Sequence, residues 1–188
     1  MATASDVAGL VDYARGRLFE RCEGLSDDEY LWEPAAGCWS VREHDGDWKV
    51  DMGADGTRWT TEPPPVTSIA WRLWHLGATP GASWWVAPPD DVTTGRQYAD
   101  WWFGGRAESL DAMPKAADAL QRVDAQWSAL VGVIQRFEPE DLTEIVGDVG
   151  HIYRDSSVLG LLLHVADEFI HHGAEVALLR DLYRARAA

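Results

Sequence analysis

The sequence predicts an all-α protein, a four-helix bundle with a loop or small hairpin insertion at about residues 45–65, and three observations carry that expectation. Apolar residues recur at helical spacing in long N-terminal, central and C-terminal stretches. A shorter apolar helix pattern, SIAWRLWHLG, lies between the first two. The connections on either side of that second helix are long, as in bundles with crossover connections. With 188 residues, 46% apolar and 25% charged, the chain suits a single globular domain over residues 1–188 with a substantial core.

The first helix is expected from Ser5 or Asp6 as N-cap, with Val7, Leu10, Val11, Ala14, Leu18 and Cys22 keeping the 3.6-residue period up to Gly24. Turn-rich sequence with dispersed aromatics follows. Ser40-Val41-Arg42-Glu43 has the S-x-x-E form of a capping box and predicts a short helical turn. Asp45–Pro65 mixes Gly, Asp and Pro with short β-prone pieces, which predicts the insertion. Thr67 or Ser68 then opens the second helix, which stops or kinks before Pro80.

Residues 82–106 carry Trp84, Trp85, Tyr98, Trp101, Trp102 and Phe103. So many large rings do not stay in water, so this stretch is expected to be an ordered crossover. Pro114 suits the first turn of a third helix that runs to about Phe137, with Ala119, Leu120, Val123, Trp127, Leu130, Val131 and Ile134 in register. Glu138-Pro139 ends it, and residues 141–154 link to the last helix. That helix, Ser157–Tyr183, has Leu159, Ala166, Ile170 and Ala177 on one face and Asp155 or Ser156 as candidate N-caps.

On the opposite side of the last helix, His164, Glu168, His172 and Glu175 form a narrow stripe with His171 at its edge. Leu161, Val165, Val176 and Leu179 flank the stripe, which points to a helix enclosed by others. A buried acid beside imidazoles needs a partner, and a metal ion satisfies all of them together. Glu168 and His172, at i and i+4, can share one ion, as can His164 and Glu168. All three cannot, because eight residues span about 12 Å of helix axis. A further ligand must come from elsewhere, with His44, His75 and His151 available and only His75 inside a helix pattern.

Several function classes are excluded or disfavoured. The 16 Lys and Arg against 31 Asp and Glu leave a net charge of −15, which opposes contact with nucleic acid and anionic membrane surfaces. No apolar run approaches the ~18 residues of a membrane span, and the N-terminus has no export signal. Cys22 and Cys38 make neither a CxxC pair nor a disulfide framework, so a reducing cytoplasm is the expected location. G-x-S-x-G, phosphate-loop, dinucleotide and HExxH motifs are absent from the sequence.

WRLWHLG on the second helix and LLLHVADEFIHHGAEVALLRDLY on the last resemble the DinB/YfiT-like superfamily of metal-binding bundles. Gly37–Glu43 is similar to its W-S-[IV]-x-E segment. The resemblance covers most of the chain apart from the insertion and the Trp-rich crossover. It implies one metal-binding His on the second helix and an H-x3-H pair on the last. Carried over, His75 takes the first position and His172 the last, while Glu168 stands where the family has His. The mycothiol-dependent maleylpyruvate isomerase branch is similar in having His, Glu and His there.

The resemblance thus implies a divalent ion on His75, Glu168 and His172. Zinc with an open fourth position is the expected ion, and nickel, iron and manganese suit the same donors. It also implies a metal-dependent enzyme that activates a low-molecular-weight thiol such as mycothiol, of S-transferase or isomerase type, acting on a small-molecule substrate and forming a homodimer. The alternatives are a non-catalytic dimeric metal-binding or stress-response module, whose site a fourth protein ligand (His164, His44 or His151) would close, and a metal-dependent hydrolase. Around the site, His164 is a candidate for contact with a ligand or with ion-bound water, a hydrogen-bonded core histidine being at least as good a reading, and Trp71, Trp74, Trp101 and Trp102 are candidates for a pocket wall, core packing being the simpler expectation. Arg72 is a candidate partner for an anionic substrate, solvent exposure being the simpler expectation. His171 and Glu175 are expected to be a helix-surface pair.

Overall fold

The structure is a computed structural model that describes residues 3–52, 65–77, 88–104 and 112–186. Helix α1, Ala4–Cys22, starts earlier than the sequence suggests: Thr3, two residues before Ser5, is the N-cap. The Thr3 hydroxyl accepts the Asp6 N–H, and the Asp6 carboxylate accepts the Thr3 N–H at 2.8 Å. A one-turn helix α2, Asp27–Tyr30, follows under a Ser26 cap.

The predicted helical turn at Ser40–Glu43 is instead a strand. Val41–His44 (β1) pairs antiparallel with Asp47–Val50 (β2), in a register that runs from Val41 opposite Val50 to His44 opposite Asp47. Asp45 and Gly46, with φ of 54° and 90°, form the turn, and an Asp-Gly pair at positive φ is what a two-residue hairpin requires. Ser40 cannot cap a helix here. Its hydroxyl bonds to the Ser68 hydroxyl at 2.8 Å, and its N–H donates to Asp51 at 2.8 Å. The hairpin therefore begins before residue 45, and residues 53–64 of the expected insertion lie outside the described residues.

Helix α3, Ile69–Leu76, is capped by the Ser68 hydroxyl and ends at Gly77. Pro80 and the first part of the Trp-rich crossover lie outside the described residues. The remainder of that crossover holds a helix, α4, Gly95–Phe103, with a Thr94/Gln97 capping box. Helix α5, Ala116–Ile134, starts just after Pro114, with Lys115 at the N-cap and the Ala116 N–H donating to Asp27 at 2.9 Å. Pro139 both stops the α5 run and opens the short helix α6, Pro139–Thr143. A 3-10 segment, Asp148–Tyr153, precedes α7, Val158–Ala185, whose N-cap is Ser157 rather than Asp155 or Ser156.

The chain forms the expected mainly helical bundle: α1 packs on α5 and α7, and α3 packs on the same two helices, so the four close a ring around the core. The buried face of α7 is Leu161, Leu162, Val165, Phe169, Val176 and Leu179, with His172 and Arg180 among them. Ile170, expected on the apolar face, is 43% exposed. The stripe bearing His172 therefore turns inward toward α3. No helix among the described residues is long and apolar enough to cross a membrane.

The C-terminal half of α7 is tied down by charge. Arg180, 1% exposed, donates from Nε to Glu29 Oε1 at 2.7 Å and from Nη2 to Oε2 at 3.0 Å. Its Nη1 donates to the carbonyls of Arg21 and Glu23 at the end of α1. Three elements thus meet on one guanidinium. Because removing one member of a buried pair strands the other, Arg180→Ala is expected to lower the unfolding free energy by about 3–5 kcal/mol, whereas the double change Arg180→Met/Glu29→Leu should cost less. Urea denaturation followed by circular dichroism checks both.

Candidate metal centre

The packing of α3 on α7 sets the site. His75 sits in the last turn of α3, and Glu168 and His172 lie one turn apart on the inward face of α7. Glu168 Oε2 is 3.3 Å from His75 Nε2 and 3.1 Å from His172 Nε2, so one carboxylate oxygen accepts from two imidazoles. The ligand-type atoms of all three residues lie within 4.8 Å of one another. Both His side chains are 9% exposed, and Glu168 is 37% exposed.

Each member is held by neighbours. Trp71 stacks on His75 with centroids 5.1 Å apart and planes 11° from parallel, and its indole N–H donates to the Asp51 carbonyl at 3.0 Å. The His75 and His172 rings meet edge-on at 4.5 Å. Behind His172, Nδ1 lies 2.6 Å from Glu175 Oε2, and Arg72 Nε lies 2.9 Å from the same oxygen. Arg72 is only 17% exposed and also lies over the Trp71 ring at 5.1 Å. The solvent-exposed reading of Arg72 is thereby overturned: its guanidinium lies between the Trp71 ring and the Glu175 carboxylate.

Charge follows from these contacts. The hydrogen bond from His172, and then that from His75, hold the Glu168 carboxyl far below its usual range. Burial alone would lower His172, but its bonds to Glu168 and Glu175 outweigh it and raise the imidazole above its ordinary value. Burial likewise favours a neutral Glu175, yet the His172 bond and the Arg72 charge prevail and keep it below the ordinary carboxylate range. Burial lowers Arg72, with Glu175 and Glu168 acting against that effect.

The other candidates stand apart from the three-residue group. His164 Nε2 pairs with the Tyr153 hydroxyl at 2.9 Å. His44 and His151 are exposed, and among the described residues neither joins the group. Trp74 is core, 1% exposed, while Trp101 and Trp102 pack around Tyr98 of α4. Cys22 and Cys38 are buried and free, and burial pushes both thiols up to about 11.

A family model, described as the DinB superfamily, matches residues 51–176. The chain belongs to the DinB superfamily. No curated protein and no solved structure matches it. The match spans His75, Glu168 and His172, so the group that can hold an ion lies within the DinB region of the chain. Its geometry fits such an ion: metal–ligand bonds of ~2.0–2.1 Å at tetrahedral angles separate neighbouring donor atoms by roughly 3.3 Å, and the two carboxylate–imidazole separations are 3.3 and 3.1 Å.

Two parts of this DinB site escape a reading from spacing alone. Glu175 is a partner of His172 and Arg72 as well as of His171, which it approaches at 3.4 Å. Its position three residues after His172 was the available signal. Tyr153 reaches His164 from an irregular segment in which His151 has φ 50° and ψ −108°, and no periodicity announces that.

The metal-free protein should be most stable between about pH 4.5 and 6.5. His172, raised on folding, stabilises below the unfolded imidazole pKa of about 6.5, and that contribution is lost as pH rises through its folded value. Glu168 and Glu175, lowered on folding, stabilise above about 4.5, and that contribution is lost as pH falls through their folded values. Thermal melting of chelator-treated protein across this range checks the profile, and His172→Ala should flatten its alkaline side.

Proposed function

We propose that the protein is a divalent-metal-dependent enzyme that activates a low-molecular-weight thiol, with His75, Glu168 and His172 as the ligands. The observation that carries this reading is the incomplete ligand set: among the described residues the group offers two nitrogens and one oxygen. A site of that kind keeps a position for an exogenous ligand, as catalytic zinc sites do, whereas purely structural sites are closed by a fourth protein ligand. Bound there, a divalent ion would supply Lewis acidity that favours the thiolate form of a thiol or the hydroxide form of water. Zinc is the ion proposed, since the donor set suits it.

The thiol has to come from outside the chain. Cys22 and Cys38 are buried, and with thiols pushed up to about 11 they make poor nucleophiles at neutral pH. The His, Glu, His order is also similar to that of the mycothiol-dependent isomerase branch. The remaining residues have definable tasks. Trp71 keeps the His75 ring in plane. Tyr153 and His164 share a proton between the phenol oxygen and Nε2, one helical turn before Glu168. Burial and the charge of Glu168 hold Tyr153 in its protonated form, so its hydroxyl is available to donate to His164 Nε2.

A homodimer belongs to the same proposal. Leu163, Ile170, Leu178 and Leu182 expose 43–59% of their surface along α7, an apolar stripe that a second copy would cover; light scattering tests this.

Elemental mass spectrometry on untagged protein, purified without chelator, tests the ligand assignment. About one zinc per chain is expected in the wild type and in His171→Ala, and near none in His75→Ala, Glu168→Ala or His172→Ala. Equal losses in all four variants would overturn the assignment. Loaded protein should then consume mycothiol in the presence of an electrophile. Turnover without thiol would favour the hydrolase, and metal without turnover the binding module.

A further inference from the structure

We propose that Glu175, braced by Arg72, is a positioning residue that sets which nitrogen of His172 faces the ion. The inference rests on the reading of His75, Glu168 and His172 as metal ligands and deepens it.

An imidazole has two nitrogens, and a helix position alone does not decide which one binds. Here His172 Nδ1 lies 2.6 Å from Glu175 Oε2. A carboxylate only accepts, so at that distance Nδ1 must carry the proton. Its lone pair is then unavailable to an ion, and Nε2, which donates to Glu168 Oε2 at 3.1 Å and faces the other ligand atoms, is the nitrogen that would give up its proton to bind. Arg72 Nη1 also lies 3.3 Å from Nδ1, but two donors cannot bond each other. The guanidinium acts instead through Nε, 2.9 Å from Glu175 Oε2. The contact is an ion pair without hydrogen-bond alignment, so the positive charge keeps the carboxylate ionised and beside His172.

The arrangement also settles a competition. His171, His172 and Glu175 form a second group whose ligand-type atoms lie within 4.8 Å of one another. An ion there would need the His172 Nδ1 lone pair, which its proton removes; Glu175 Oε1, 3.4 Å from His171 Nε2, lies outside that bond, whereas Oε2 is committed to His172 and Arg72. Arg72 adds a fixed positive charge against that oxygen. His171, 59% exposed, is left as a surface group. Glu175 and Arg72 thus direct His172 to the inner set and deny it to the outer one.

Carboxylates behind ligating histidines commonly change metal affinity by about 10–100-fold. Zinc affinity of the full chain, measured by competition with a chromophoric chelator, is therefore expected to fall 10–100-fold in Glu175→Ala. Glu175→Gln keeps an oxygen that can accept the Nδ1 proton and should lose less than Glu175→Ala. Nitrogen-15 spectra of the zinc-loaded protein should show a His172 Nδ1–H signal in the wild type and in Glu175→Gln, and none in Glu175→Ala. Melting of the metal-free variants separates positioning from general destabilisation: the affinity order should not follow the melting order.

Zinc uptake by the wild type with Glu175→Ala within twofold of it would overturn this inference alone. So would equal losses in Glu175→Ala and Glu175→Gln with the Nδ1–H signal unchanged in both. A wild type that takes up no zinc would overturn the ligand reading itself, and this inference with it.

Discussion

Glu168 is a carboxylate half-buried between two packed helices, and the arrangement around it answers that constraint. A charge in such a position is costly unless opposed and hydrogen-bonded. Two imidazoles from different helices supply the opposition through a single oxygen, Oε2. The contact between α3 and α7 is therefore polar at its centre and apolar around it, with Leu73, Val165, Phe169 and Val176 buried about the cluster. Moving either helix by one turn would separate His75 from Glu168 and leave the charge unopposed.

Around that centre the supports are of two kinds. His75 is fixed by shape, through the parallel stack of Trp71 and the tether of the Trp71 indole to the Asp51 carbonyl. His172 is fixed by charge, through Glu175 and Arg72. The Asp51 tether also gives the small hairpin a role: Asp51 follows β2 directly, its carboxylate accepts from Ser40 and Arg42, and its carbonyl holds Trp71. The insertion thus buttresses the site from outside the bundle. At the other end of α7 the Arg180–Glu29 pair anchors the helix to α1 and α2, so the turns bearing Glu168 and His172 lie on a helix held at a second point by an independent ion pair.

Much of this was legible in the residues, and the gaps have physical causes. The periodic runs revealed the long helices because burial of one face imposes a 3.6-residue repeat. The i and i+4 spacing revealed Glu168 and His172 as neighbours because a helix puts them on one face. Ser40–Glu43 misled, since S-x-x-E records only a local preference, and the pairing of β1 with β2 and the Ser40–Ser68 bond outcompeted it. Ile170 misled because apolar residues fall on more than one side of α7, and that pattern does not say which side meets the other helices. Arg72 read as solvent-exposed because nothing near it in sequence is acidic, its partner being on another helix.

By itself, then, the sequence determined the long helices, the acidic net charge, and the Glu168/His172 pair on one face of α7, because these depend on local spacing and composition. Tertiary structure brought His75 against that pair, buried Arg72, and set which nitrogen of His172 lies beside Glu175. Those depend on distances between α3 and α7, nearly a hundred residues apart along the chain, and only packing brings such residues within hydrogen-bond reach.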